Sequence, residues 1–189
     1  GGINVSYNPS FNFSLSRAFT TEAWAKPVSS TGNPAVIRVG RTGSNERIII
    51  DVSSGSWRTV TRNGSSDATT LTGSSVTVNQ WIHLALTWDG SNVRLYENGV
   101  QTAISALPSI ADDNVGVGIG ANAENDAQVF NGTIDEVRIY KRALTPEEIR
   151  THYLRGSGFG ASGAITADRF RVVNTTGRKV LELNQTAFS

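Results

Sequence analysis

Along most of the chain, apolar and polar residues alternate in short runs, and Gly, Asn, Asp or Ser closes each run at intervals of roughly 8–12 residues, the spacing of a sandwich or jelly roll. The runs predict strands over Phe11–Phe13, Phe19–Lys26, Ala35–Gly40, Arg47–Val52, Trp57–Arg62, Val76–Val78, Trp81–Trp88, Val93–Glu97, Val115–Ile119 and Thr133–Tyr140. In the Trp81 run, Ile82, Leu84, Leu86 and Trp88 make an inward row, and His83, Ala85 and Thr87 face the other way. Asp89-Gly90 and Asn98-Gly99 favour tight turns with positive φ and bracket Val93 and Leu95, so this region reads as a meander.

The period changes after residue 140. Strict alternation over the preceding strand puts Ile134, Glu136, Arg138 and Tyr140 on one face and Asp135, Val137, Ile139 and Lys141 on the other. Thr145 then opens a helix, with Pro146 at the first helical position and Glu148 three residues after the cap, a capping box. Ile149 and Tyr153, four apart, give the helix one apolar stripe with which to pack on the sheet. Past Arg155 the periodicity stops, and residues 156–164, GSGFGASGA, read as a flexible Gly/Ser linker. Beyond it Phe170, Val172 and Val180, with turn-forming residues Asn174 to Gly177 between, predict a β-hairpin tail over 165–189. A lone hairpin is marginal in water, so this one needs a partner: a following domain, the preceding sandwich, or copies of itself.

Composition narrows the function classes. The 189 residues allow one domain of about 150 residues plus an appendage. The net charge of +1, with Arg and Lys scattered rather than bunched, provides no field to steer the protein onto nucleic acid. Absence of cysteine excludes disulfides, thiolate metal sites and a Cys nucleophile together. No apolar run approaches the roughly 18 residues of a membrane span, so membrane insertion is not expected. The chain also lacks methionine, and it is therefore read as a piece of a longer protein.

Residues 130–153, FNGTIDEVRIYKRALTPEEIRTHY, resemble the end of laminin-G-like, concanavalin A-like jelly-roll domains. FTTEAWAKP (19–27) is similar to the family's early strand, QWIHLALTWDGSNVRLYENG (80–99) to its central hairpin, and VGVGIG (115–120) to the strand before its final loop. The resemblance implies an all-β, two-sheet antiparallel jelly-roll sandwich over residues 1–155 with one short C-terminal helix, followed by the linker and the hairpin tail. It further implies carbohydrate or glycoprotein on a cell surface as the partner, an extracellular setting, and a structural calcium ion at Asp135. Read from the residues alone, Asp135 is equally served by a salt bridge to Arg138 or Lys141, or by capping a neighbouring backbone group. The tail is similar to segments of phage tail-fibre and tail-tip proteins, which implies a virion tail as one setting and a homotrimer as one assembly.

The same jelly roll carries glucanases, which set carboxylates two to five residues apart on one strand; here Glu22, Glu46, Glu97 and Glu182 stand apart from one another. No G-x-S-x-G is present, and neither His83 nor His152 has a recognisable acid and serine. A non-catalytic recognition module is expected, with a homo-oligomerising structural protein as the alternative and a glycoside hydrolase ranked below both. Sugar recognition uses a flat aromatic face and planar amides or carboxylates. Trp57, with Arg58, Arg62 and Asn63 nearby, is the candidate platform, the competing role for Trp57 being a core residue like Trp24, Trp81 and Trp88. The loops bearing Asp112 and Asp113, and Asn122, Glu124, Asn125 and Asp126, are candidate rim sites at opposite ends of the sandwich, or else plain solvated turns.

Overall fold

A computed structural model describes residues 2–8, 18–40, 46–62, 68–107, 109–110, 116–121, 128–157, 169–173 and 179–184. Two β-sheets face each other across one apolar core. The first contains, in spatial order, β1 (Ile3–Val5), β10 (Val117–Ile119), β3 (Ala35–Gly40), β4 (Glu46–Ser53), β5 (Ser56–Arg62) and β6 (Ala68–Ser75). The second contains the antiparallel strands β11 (Gly132–Tyr140), β2 (Phe19–Pro27), β7 (Ile82–Trp88), β8 (Asn92–Glu97) and β9 (Val100–Ala106). A hairpin of β12 (Arg169–Val173) and β13 (Lys179–Asn184) extends it, with β12 parallel to β11. One helix, α1 (Pro146–Ser157), follows β11. The all-β sandwich with a short helix is the architecture the alternation predicts.

Period-2 side-chain direction builds the core. Ile37, Val39, Ile48, Ile50, Val52, Trp57 and Leu71 from the first sheet meet Leu84, Leu86, Trp88, Val93 and Leu95 from the second. The inward row read along β7 is therefore correct. Its opposite row is buried as well, because Ala85 packs with Tyr96, Tyr140, Leu144 and Ile149 beneath α1. The capping box forms: the Glu148 N–H donates to Thr145 Oγ1 at 3.2 Å, and the Thr145 N–H to Glu148 Oε2 at 2.9 Å. Arg142 grips the same carboxylate through two bonds of 2.7 Å. Ile149 is fully buried, and Tyr153 stacks on Trp24 with ring centroids 5.8 Å apart.

The structure departs from the sequence reading in several places. Strand β11 carries a bulge between Asp135 and Arg138, with Glu136 at φ 50°. The extra residue resets the parity, so Ile134 joins Val137 and Ile139 at the core while Asp135 moves to the outer face opposite Trp24. Strict alternation had put Ile134 with Arg138 and Asp135 with Val137. Strands β1, β6 and β9 are additional, and Val76–Val78 forms no strand: the Val76 N–H instead donates to the Gly55 carbonyl at 2.8 Å and Asn79 turns the chain at φ 61°. Strands β6 and β9 are antiparallel edges with few buried side chains, so their apolar pattern is faint. The helix continues through Gly156 to Ser157, into the stretch read as linker, and Gly156 packs so close to the Trp24 indole that a side chain there would strike it. The tail hairpin forms as predicted and pairs with the sandwich. The predicted strand Phe11–Phe13 and the linker from 158 onward lie outside the described residues.

Candidate functional site

The two sheets have very different outer faces. On the six-stranded sheet, residues alternating with the core row place Arg38, Ile49, Asp51, Arg58, Val60 and Arg62 outward. Asp51 pairs directly across with Arg58, which binds it in the two-pronged geometry that guanidinium and carboxylate favour, Nε to Oδ1 at 2.9 Å and NH2 to Oδ2 at 2.5 Å. The Asp51 side chain is fully buried and that of Arg58 is 28% exposed. Burial pushes the Asp51 carboxyl up, and the Arg58 bond and charge offset only part of that, while Asp51 holds the Arg58 guanidinium firmly protonated. The effect of burial is larger on Asp51 because it is the more enclosed partner. Arg38, 2% exposed, donates from NH2 to Gln128 Oε1. Arg62 is half-buried, and its Nε meets no acceptor among the described residues. Arg38, Ile49, Asp51 and Val60 are themselves buried, so what reaches solvent on this face is the partly exposed side chains of Arg58 and Arg62.

Trp57 does not belong to this face. It neighbours Arg58 in sequence and so points to the opposite side; it is 1% exposed and packs in the core. No flat indole surface is left for a sugar ring, which corrects the platform expectation for this residue. Arg58 and Arg62, with Val60 between them in the alternation, share one face of β5. Asn63, Asp112, Asp113, Asn122, Glu124, Asn125 and Asp126 lie outside the described residues.

The outer face of the second sheet is closed by α1 over a buried polar cluster that the sequence analysis missed. Glu22, fully buried, is contacted at Oε1 by His152 Nδ1 (2.9 Å), Arg138 NH1 (3.3 Å) and Tyr140 OH (3.4 Å), and at Oε2 by His83 Nε2 (3.4 Å). Burial alone would raise the Glu22 pKa, but the contacts with His152 and His83 more than offset it and hold the carboxyl well below its usual range. Burial and the Glu22 charge push the Tyr140 hydroxyl up. The available signal was the alternation of Thr20, Glu22 and Trp24 along β2, which puts a carboxylate on the row that α1 covers. Through His152 this cluster ties α1 to the sheet.

Asp135 is 5% exposed, and its Oδ1 accepts the Glu136 N–H at 2.7 Å, holding the positive-φ residue of the bulge. Among the described residues, no three His, Asp or Glu side chains converge as a metal site. Asp135 thus supplies a backbone cap, one of the roles open to it from sequence.

Comparison with known proteins agrees with the sandwich. Residues 1–150 match the family described as the concanavalin A-like lectin/glucanases superfamily. A putative carbohydrate binding protein from Bacteroides ovatus superposes with a TM-score of 0.67 at 20% identity, over 97% of this chain and 48% of that one. The IT-sialidase CBM40 of Ruminococcus gnavus, bound to α2,3 sialyllactose, gives 0.63 at 19% identity over 80% and 96% of the two chains. Domain 4 of AbnA, a GH43 extracellular arabinanase from Geobacillus stearothermophilus in complex with arabinotriose, gives 0.56 at 27% identity over 71% and 66%. Among curated proteins, the human Adhesion G-protein coupled receptor D1 is 30% identical over 83 residues, 41% of this chain, which spans about 10% of that protein's length. With four-fifths of its length matched by the family and both sheets in place, the chain belongs to the concanavalin A-like lectin/glucanase superfamily.

Proposed function

We propose that this chain is a non-catalytic recognition module that binds carbohydrate on the outer face of the six-stranded sheet. The observation that carries this reading is the pair of outward arginines. Arg58 is locked by Asp51 while still 28% exposed, and half-buried Arg62 stands on the same face of β5. Fixed planar donors bind ring hydroxyls and carboxylates with little loss of side-chain entropy. The sugars held by the related domains, arabinotriose and α2,3 sialyllactose, support glycan as the ligand class. Hydrolysis would need two carboxyl groups roughly 5–9 Å apart across the bound sugar. Among the described acids, Glu22 lies under the helix, Asp51 is tied to Arg58, Asp89 to Arg94 and Glu136 to Arg138. Glu97 is held by Ser74, Asp135 caps the Glu136 N–H, and Glu147 and Glu148 sit in the first turn of α1. An extracellular setting, on a secreted protein or a virion tail, suits a module whose ligand is a surface glycan.

A glycan array probed with the whole chain tests the proposal: binding should appear and weaken about tenfold in Arg62→Ala, the scale of one lost charge-assisted hydrogen bond. Unchanged binding in both Arg58→Ala and Arg62→Ala would remove the site from this face. A second reading, assembly into a homotrimer, is favoured by the hairpin, whose outer strand β13 ends the extended sheet. Light scattering on the whole chain and on a version ending at Arg155 separates the two, since only the former should be a trimer.

A further inference from the structure

A cavity lies away from that face, between the two sheets near the turn joining β8 to β9. It has a volume of about 140 Å³ and is lined by Trp57, Ser75, Thr77, Gln80, Trp81 and Glu97, among others. That is on the order of the roughly 150 Å³ that admits a benzene ring, so it has room for one six-membered ring. Glu97 is the unusual member. It follows Val93 and Leu95 on the inward row of β8, and its carboxylate reaches across to β6, accepting the Ser74 N–H at 2.8 Å, the Ser74 hydroxyl and the Thr102 hydroxyl at 3.2 Å. It is 6% exposed. The space it occupies exists because position 73 is glycine: a Cβ there would run into Glu97 Oε1. Its three donors are neutral, and no Lys, Arg or His is among its hydrogen-bond partners in the described residues.

Three neutral donors meet the carboxylate but bring no positive charge, and a carboxylate keeps lone pairs for a cation. The partly buried Trp81 also lines the cavity, and indole faces attract cations. We propose that this cavity binds a small ring carrying a protonated amine next to hydroxyls, the chemistry of a 2-amino-2-deoxy sugar, with Glu97 receiving the ammonium and Ser75, Thr77 and Gln80 receiving the hydroxyls. The proposal rests on the carbohydrate-binding reading but uses a different place in the fold.

Titration of the whole chain with glucosamine, glucose and N-acetylglucosamine, followed by the two-dimensional NMR signals of the indole N–H groups, tests it. Glucosamine should shift the Trp57 and Trp81 signals and bind about tenfold more tightly than glucose or the acetylated sugar, the scale of a hydrogen bond to a charged group. Glu97→Gln keeps an acceptor for Ser74 and should bring the three sugars within about twofold of one another. Trp81→Ala, at the cavity opening and outside the central core, provides a second variant if the glutamine form folds poorly, and should weaken glucosamine binding. Equal affinity for the three sugars in the wild type, or a glucosamine preference surviving Glu97→Gln, would overturn the proposal. Array binding that depends on Arg62 would persist in that case, so failure here is distinguishable from failure of the outer face.

Discussion

Glu22 shows how much a single residue's surroundings decide. A carboxylate on the helix-covered row of β2 would be untenable alone, yet His152, Arg138 and Tyr140 meet it and make it the anchor of α1. Removing one member of such a buried pair strands the others, so Glu22→Gln should cost about 3 kcal/mol in urea unfolding. Because the folded-state pKa of Glu22 is depressed, its contribution is complete above the ordinary value of 4.5 and is lost as pH falls through the folded value. Wild-type stability should therefore drop as pH is lowered below 4.5, and Glu22→Gln should flatten that part of the profile; parallel profiles would dissociate Glu22 from acid sensitivity. Asp135 makes a contrasting case. Its carboxylate caps the Glu136 N–H, so Asp135→Ala should cost about 1–3 kcal/mol, equally in EDTA and in millimolar calcium. A loss seen only when calcium is present would assign the carboxylate to an ion instead.

At the scale of elements, the best-read pieces are those whose local chemistry leaves one solution. The Thr145 capping box and the Asn98-Gly99 turn, at φ 51° and 77°, form as their residues require. Thr145→Ala should lower stability by about 1 kcal/mol with an unchanged urea m-value, and a null effect would mean that the Arg142–Glu148 pair holds the helix start unaided. The strands that escaped notice lack that definition. In β6, ATTLTGSS, Leu71 alone is a buried apolar residue, so no alternation stands out from a Ser- and Thr-rich background. The β11 bulge was illegible for a different reason: nothing in TIDEVRI marks the inserted residue, and only the Glu136 conformation and the pairing with β2 reveal it. Trp57 was misplaced as an outer platform, because composition around a residue carries no information on strand parity. Alternation against the Val52 row would have placed it inside.

At the scale of the molecule, the two sheets divide the labour. The second sheet buries its outer face under α1, through Ile149, the Tyr153–Trp24 stack and the Glu22 cluster, and so has no broad surface to offer there. The first sheet keeps Arg58 and Arg62 outward on a rigid β-scaffold, the placement that favours precise recognition. The most direct measurement is a backbone amide chemical-shift map of the whole chain titrated with the strongest neutral hit from the glycan array. Shifts concentrated at Arg38, Ile49, Arg58, Val60 and Arg62, and absent in Arg62→Ala at the same sugar concentration, are the expected result. Shifts confined to α1 and the strands beneath it, with β3 to β5 unmoved, would contradict it.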